Sequence, residues 1–190
     1  MSVVAIPNWN PQGLLPPVDV NLQPTSKVRS PYLVSLKDVV TRFATSPERN
    51  SILEGLLRYR AKLHALGLVA GFQWLDGSFT EDVETLEQRA PNDIDVVSFV
   101  HTPIGFSPDP AALPALMSTA AKASFKVDAY FVEMSLPPDQ LAALSVYWYS
   151  LWAHRRNHVW KGFLQVDLAP VEDAAAQACL NQNCSTGVGP

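Results

Sequence analysis

A mixed α/β chain, with a small mixed β-sheet flanked by helices on one side, is what this sequence predicts. Three observations carry the prediction. Apolar residues recur at helical spacing over residues 36 to 66. Short apolar runs of strand length then alternate with turn-forming or helix-starting segments as far as residue 168. Finally, 47% of the 190 residues are hydrophobic, enough for one domain with a buried core.

Residues 1–34 hold Pro7, Pro11, Pro16, Pro17, Pro24 and Pro31 and show no period, so they read as an extended arm laid over the body. Residues 35–170 form the domain proper. Ser35 is placed to cap a helix in which Leu36, Val39, Val40 and Phe43 form one stripe. Ser46-Pro47 starts a second, with Ser at the N-cap and Pro at the first helical position; Ile52, Leu53, Leu56, Leu57, Leu63 and Leu66 form its face and Gly67 stops it.

Leu68 to Leu75 reads as a buried strand leading into Asp76-Gly77-Ser78, residues 79–91 as an exposed excursion, and Asn92 to Val100 as the next strand. Asp109-Pro110 opens a predicted helix through Leu113, Leu116, Met117 and Ala120, and Phe125 to Met134 returns as a strand. Pro137-Pro138-Asp139 starts a long helix through Leu141, Leu144, Trp148, Leu151 and Trp152, ending in the basic stretch 154–158. Phe163 to Leu168 alternates as the last strand, and residues 171–190 read as a flexible tail.

Composition excludes several function classes. A net charge of −4 gives no basic field, so long duplex nucleic acid is not an evident partner, while a small nucleotide or a short strand still is. No run of 18 apolar residues crosses a membrane, and the N-terminal apolar run stops at Pro7, too early for a signal peptide. Cys179 and Cys184 lack partners at zinc spacing, so a reduced, cytoplasmic protein is expected and neither cysteine is given a catalytic role.

The chemistry centres on Asp93-Ile94-Asp95. Residues i and i+2 of a strand point the same way, so the two carboxylates face together while Ile94 and Val96 face the core. Two like charges about 4 Å apart repel by roughly 4 kcal/mol at an effective dielectric near 20, which folding tolerates only with a return. A hard divalent cation of the magnesium type supplies it. Gly77 lets backbone approach a phosphate closely and Ser78 adds a hydroxyl donor. Asp128 sits on the strand after the Asp pair; Asp167 competes with it as a third carboxylate, and Asp128 is preferred because consecutive strands usually neighbour.

Strand, Gly77-Ser78, strand with Asp93-Ile94-Asp95, then strand with Asp128 is an order that resembles the DNA polymerase beta-like nucleotidyltransferase superfamily. Residues 6–17, 76–79, 91–97 and 161–162 further resemble a family of short bacterial nucleotidyltransferase-like proteins, from about residue 6 to 168. The fourteen residues between Ser78 and Asp93 are slightly more than the superfamily usually has.

The resemblance implies a nucleotidyltransferase-like fold and magnesium, with manganese as the alternative, held by Asp93, Asp95 and Asp128. Gly77 and Ser78 would hold the triphosphate, Asp128 would assist deprotonation, and one of Arg155, Arg156 and Lys161 would neutralise phosphate. The expected reaction moves a nucleoside monophosphate from a nucleoside triphosphate to a hydroxyl of a protein, RNA or nucleotide. The alternative expectation is an antitoxin or regulatory partner in a toxin–antitoxin or phage-defence system, with a vestigial site and a protein partner; a phosphate-hydrolysing metalloprotein is a third. His154 and His158 lack a third ligand; Trp148, Trp152 and Trp160 fit helix packing better than a base-stacking platform, and Trp74 is expected in the core.

Overall fold

The computed structural model describes residues 3–19, 21–23 and 25–186. Val20 and Pro24 of the arm, and residues 187–190 of the expected tail, lie outside the described residues. The chain order is β1 (Tyr32–Leu33), α1 (Leu36–Phe43), α2 (Pro47–Ala65), β2 (Gly71–Asp76), α3 (Val83–Glu87), β3 (Ile94–Val100), α4 (Ser118–Phe125), β4 (Val127–Glu133), α5 (Pro138–Trp152), β5 (Leu164–Asp167) and α6 (Asp173–Thr186). The strands form one mixed sheet in the order β1-β5-β2-β3-β4. β2 runs antiparallel to both β3 and β5, and β4 is parallel to β3.

Local signals explain the first helices. Ser35 accepts a hydrogen bond from the Asp38 backbone N–H and Ser46 accepts one from that of Arg49, the expected N-caps. Gly67 follows α2 at φ +83°, where a Cβ would be strained. The buried faces of α1 and α2 pack with Ile94, Val96 and Val127 into the larger core. Gly55 is needed there because a Cβ would sit 1.8 Å from the Phe125 carbonyl oxygen at the end of α4.

Four expectations are corrected. Helices cover both faces, because α5 lays Leu141, Leu144, Trp148 and Trp152 over a second cluster of Trp74, Val97, Phe99 and Phe163. Residues 173–186 are helical rather than a loose tail: Ala176 and Leu180 are buried, and the fully buried Arg60 donates to Asp173 Oδ1 at 2.7 Å. Arg60 also donates to Gln73 Oε1 at 2.7 Å, so α2, β2 and α6 meet at one guanidinium. The helix expected from Asp109-Pro110 is a series of turns with a 3₁₀ turn at Pro114–Leu116, because Pro114 has no N–H for a helical ladder; the helix begins only at Ser118. Residues 79–91 are not wholly exposed, since Phe79, Thr80, Glu81 and Val83 are buried.

The N-terminal arm does lie over the body, with Leu14 and Leu15 buried. Gly162 donates its N–H to the Leu15 carbonyl, and a Cβ at Gly162 would meet the Pro16 carbonyl oxygen at 2.5 Å. Trp9 Nε1 donates to the Thr80 carbonyl at 2.8 Å and Asp82 N–H to the Gly13 carbonyl at 2.9 Å. The arm therefore buttresses the turn that follows β2. Among the described residues, no helix is long and apolar enough to cross a membrane.

Candidate active site

Strand register assembles the site. Asp95 on β3 is the direct partner of Asp76 on β2 and of Asp128 on β4, so three carboxylates stand in one row across adjacent strands. Directly opposed residues share a face, here the one that α5 covers farther along the strands. Asp93 lies one step before β3, and Ile94 and Val96 are fully buried on the opposite face, as the alternation requires. The row opens into a cleft of about 750 Å³ that is also lined by Gly77, Ser78, Lys122, Tyr147, Arg155 and Arg156.

Gly77 has φ +86°, and a Cβ there would lie 2.8 Å from Asp95 Oδ2, so only glycine lets the turn pass the carboxylate row. The turn is held from behind by Arg49 of α2, fully buried, which donates to the carbonyls of Phe79 and Glu81 at 2.6 Å each and pairs with Glu84 at 2.5 Å. The long spacing between Ser78 and Asp93 is taken up by the 3₁₀ turn Ser78–Thr80 and by α3.

The row is anionic and largely buried. Burial raises the Asp95 carboxyl to about 7, helped by the charges of Asp76, Asp93 and Asp128. Burial likewise raises Asp76 to about 6, against the opposing pull of Lys161. Lys161 is buried, 3.0 Å from Asp76 and 2.9 Å from Glu81; burial disfavours its charge, but the two carboxylates outweigh that and hold its pKa up. Arg155 pairs with Glu81 and, at 2.7 Å, with Glu87. At the rim Lys122 pairs with Asp93 and lies 3.9 Å from Asp128, and its pKa is raised chiefly by its hydrogen bond to Asp93.

The donor set fits a hard dication in chemistry: oxygen ligands, excess negative charge, and an ammonium group already drawn between two of the carboxylates. Among the described residues no three His, Cys, Asp or Glu side chains stand as a ready ligand set. Lys122, half exposed, occupies the space between Asp93 and Asp128.

All eight sequence-singled residues, Gly77, Ser78, Asp93, Asp95, Asp128, Arg155, Arg156 and Lys161, line this cleft. Asp167 is not among them; it pairs in register with Phe72, at the far end of β2 from Asp76, and is exposed. Arg155 and Lys161 are engaged by carboxylates, whereas Arg156 is exposed. His154 and His158 belong to a hairpin after α5 rather than to its helical face, with ring centroids 5.6 Å apart. Trp160 is 62% exposed and not in the core.

Sequence reading missed Asp76, Glu81, Lys122 and Arg49. Asp76 had a signal: it directly precedes the glycine at the end of a strand. Arg49 and Glu81 act through ion pairs and hydrogen bonds between segments 30 or more residues apart, and Lys122 pairs with Asp93 29 positions away, which no local pattern marks.

Fold and site together define an α+β domain with a mixed sheet whose edge of carboxylates faces a cleft. Residues 7–167 match the model of DUF6932, a family of unknown function, and the chain belongs to that family. Neither curated proteins nor solved structures give a match.

Proposed function

We propose that the cleft is the active site of a metal-dependent nucleotidyltransferase that moves a nucleoside monophosphate from a nucleoside triphosphate to an acceptor hydroxyl. The observation that carries this reading is the in-register row Asp76, Asp95, Asp128, with Asp93 beside it and the Gly77-Ser78 turn at its end. Asp93, Asp95 and Asp128 are the residues to hold magnesium, with manganese as the alternative. When bound, the metal supplies a clamp on phosphate oxygens and makes the attacking hydroxyl more acidic.

The chain's own groups do the rest. Gly77, lacking a side chain, allows phosphate close to backbone, and Ser78 donates its hydroxyl. Asp128 accepts the acceptor's proton, being the outermost of the three carboxylates on the sheet. Arg156 at the rim is the cation available to the β- and γ-phosphates. Lys161, held by Asp76 and Glu81, fixes the sheet end instead.

The rival reading, a regulatory or antitoxin-type partner that keeps the cleft only as a shape, is favoured by one feature. Lys122 and Lys161 already offset three of the carboxylates, so the fold stands without a dication. Incubation with each of the four radiolabelled triphosphates, magnesium or manganese and host lysate separates the readings. A labelled acceptor formed by the wild type and not by Asp95→Asn is the expected result. No labelled acceptor, together with no nucleotide binding by calorimetry, would leave the rival.

A further inference from the structure

In a chain with net charge −4, the stretch from Gln140 to Val166 contains no Asp or Glu at all, yet it carries Arg155, Arg156, Lys161, His154 and His158 and three of the five tryptophans. Structure concentrates part of that stretch at the cleft mouth. After α5 the chain doubles back: His154 and Trp160 form an antiparallel bridge, Arg155 N–H donates to the Val159 carbonyl at 2.9 Å, and Lys161 N–H donates to the Ala153 carbonyl at 2.9 Å. His158, at φ +65°, completes the turn.

This hairpin is pinned at its base. Lys161 is tied to Asp76 and Glu81, and Arg155 to Glu81 and Glu87, so the two inward cations are spent on holding it. The outward groups are different. Arg156 and His158 are exposed, and the indole of Trp160 is 62% exposed and edge-on to His154, their centroids 6.3 Å apart. His154 and Arg156 line the cleft, as does Tyr147 of α5, 55% exposed.

Exposed aromatic planes spaced among cations are what a flexible polyanion with flat bases requires. Bases stack on the rings whatever their sequence, and phosphates meet the cations between them. A folded protein acceptor would need no exposed indole here, and a duplex hides its base faces. We infer that the hairpin 154–160, with Trp160 as stacking platform and Arg156 as phosphate contact, is a docking lip for single-stranded nucleic acid. Delivery of the strand's end into the cleft as acceptor rests on the nucleotidyltransferase reading; binding to the lip does not.

The test is fluorescence anisotropy with labelled 12-nucleotide RNA, 12-nucleotide DNA and the corresponding duplex, in EDTA and without nucleotide, on the full chain. One or both single strands should bind the wild type more tightly than the duplex does, and weaken as salt rises. Trp160→Ala should weaken binding by about tenfold, and Arg156→Ala should lower the slope against log salt by about 1. Asp95→Asn should bind as the wild type. Both lip residues are exposed, and circular-dichroism melts serve to check that the variants are folded. The inference is overturned if neither strand binds at about 50 mM salt, if the duplex binds as well as the strands, or if both lip variants bind unchanged. Strand binding without nucleotidyl transfer would remove the proposed activity and keep the lip; transfer to a protein without strand binding would do the reverse.

Discussion

Lys161 Nζ lies 3.0 Å from Asp76 Oδ2, both side chains buried, with Glu81 on the other side of the ammonium at 2.9 Å. A buried cation between two buried carboxylates is a fixed part of the fold. Replacing it by Lys161→Met leaves Asp76 buried without its counter-ion, while Glu81 keeps Arg155, and should lower stability by about 3–5 kcal/mol, read by urea denaturation. A loss under about 1 kcal/mol would show that the cluster relaxes into water instead.

Stability should also depend on pH through the carboxylate row. Asp95, raised to about 7, and Asp76, raised to about 6, both hold protons more tightly folded than unfolded. The contribution of these two groups to stability is therefore fully present below about pH 4 and is lost as pH rises from there to about 7. The slope reaches up to about 1.4 kcal/mol per pH unit for each such proton. Urea titrations at several pH values should show the fall in wild type and a flatter profile in Asp95→Asn; parallel profiles would contradict the burial argument.

Lys122 bridges Asp93 and Asp128 from the rim and so competes with any divalent ion for them. Lys122→Met should tighten magnesium binding while lowering metal-free stability slightly. In thermal shift titrations the variant's melting temperature should begin to rise at lower magnesium than the wild type's, and Asp93→Asn should not respond. Magnesium at about 100 times its dissociation constant should stabilise the folded state by about 2.7 kcal/mol. Magnesium that shifts none of the three proteins would count against a metal at this row.

Gly77→Ala tests the turn. The new methyl would sit 2.8 Å from Asp95 Oδ2 at a φ of +86°, so the turn or the carboxylate must move. Backbone strain of about 1–3 kcal/mol is expected in denaturation. Calorimetry should show triphosphate affinity falling more than tenfold; a variant that binds as wild type does would separate the turn from the ligand.

Much of this architecture was legible from residues 35–67 and 92–100, because caps, apolar stripes and strand alternation are local and the structure obeys them. The Asp93-Ile94-Asp95 pair was legible for the same reason: its apolar neighbours fix which face it takes. What escaped was set by pairing between strands. Nothing near Asp76 reveals that β2 runs antiparallel to β3 with Asp76 opposite Asp95. α6 escaped because Ala176 and Leu180 are a faint apolar signal in an Ala-rich segment, and its anchor is a distant arginine. Trp160 was misjudged since its neighbours on α5 do pack inside, and only the hairpin turns it outward.

Arg60 sits 113 positions upstream of Asp173, its carboxylate partner. While the polypeptide emerges from the ribosome, α2 therefore carries a guanidinium that lacks this counter-ion until residue 173 has been translated. Closure of the helical layer waits for α6. A nascent chain stalled before residue 173 would expose the groove that Ala176 and Leu180 normally fill, the kind of surface chaperones recognise.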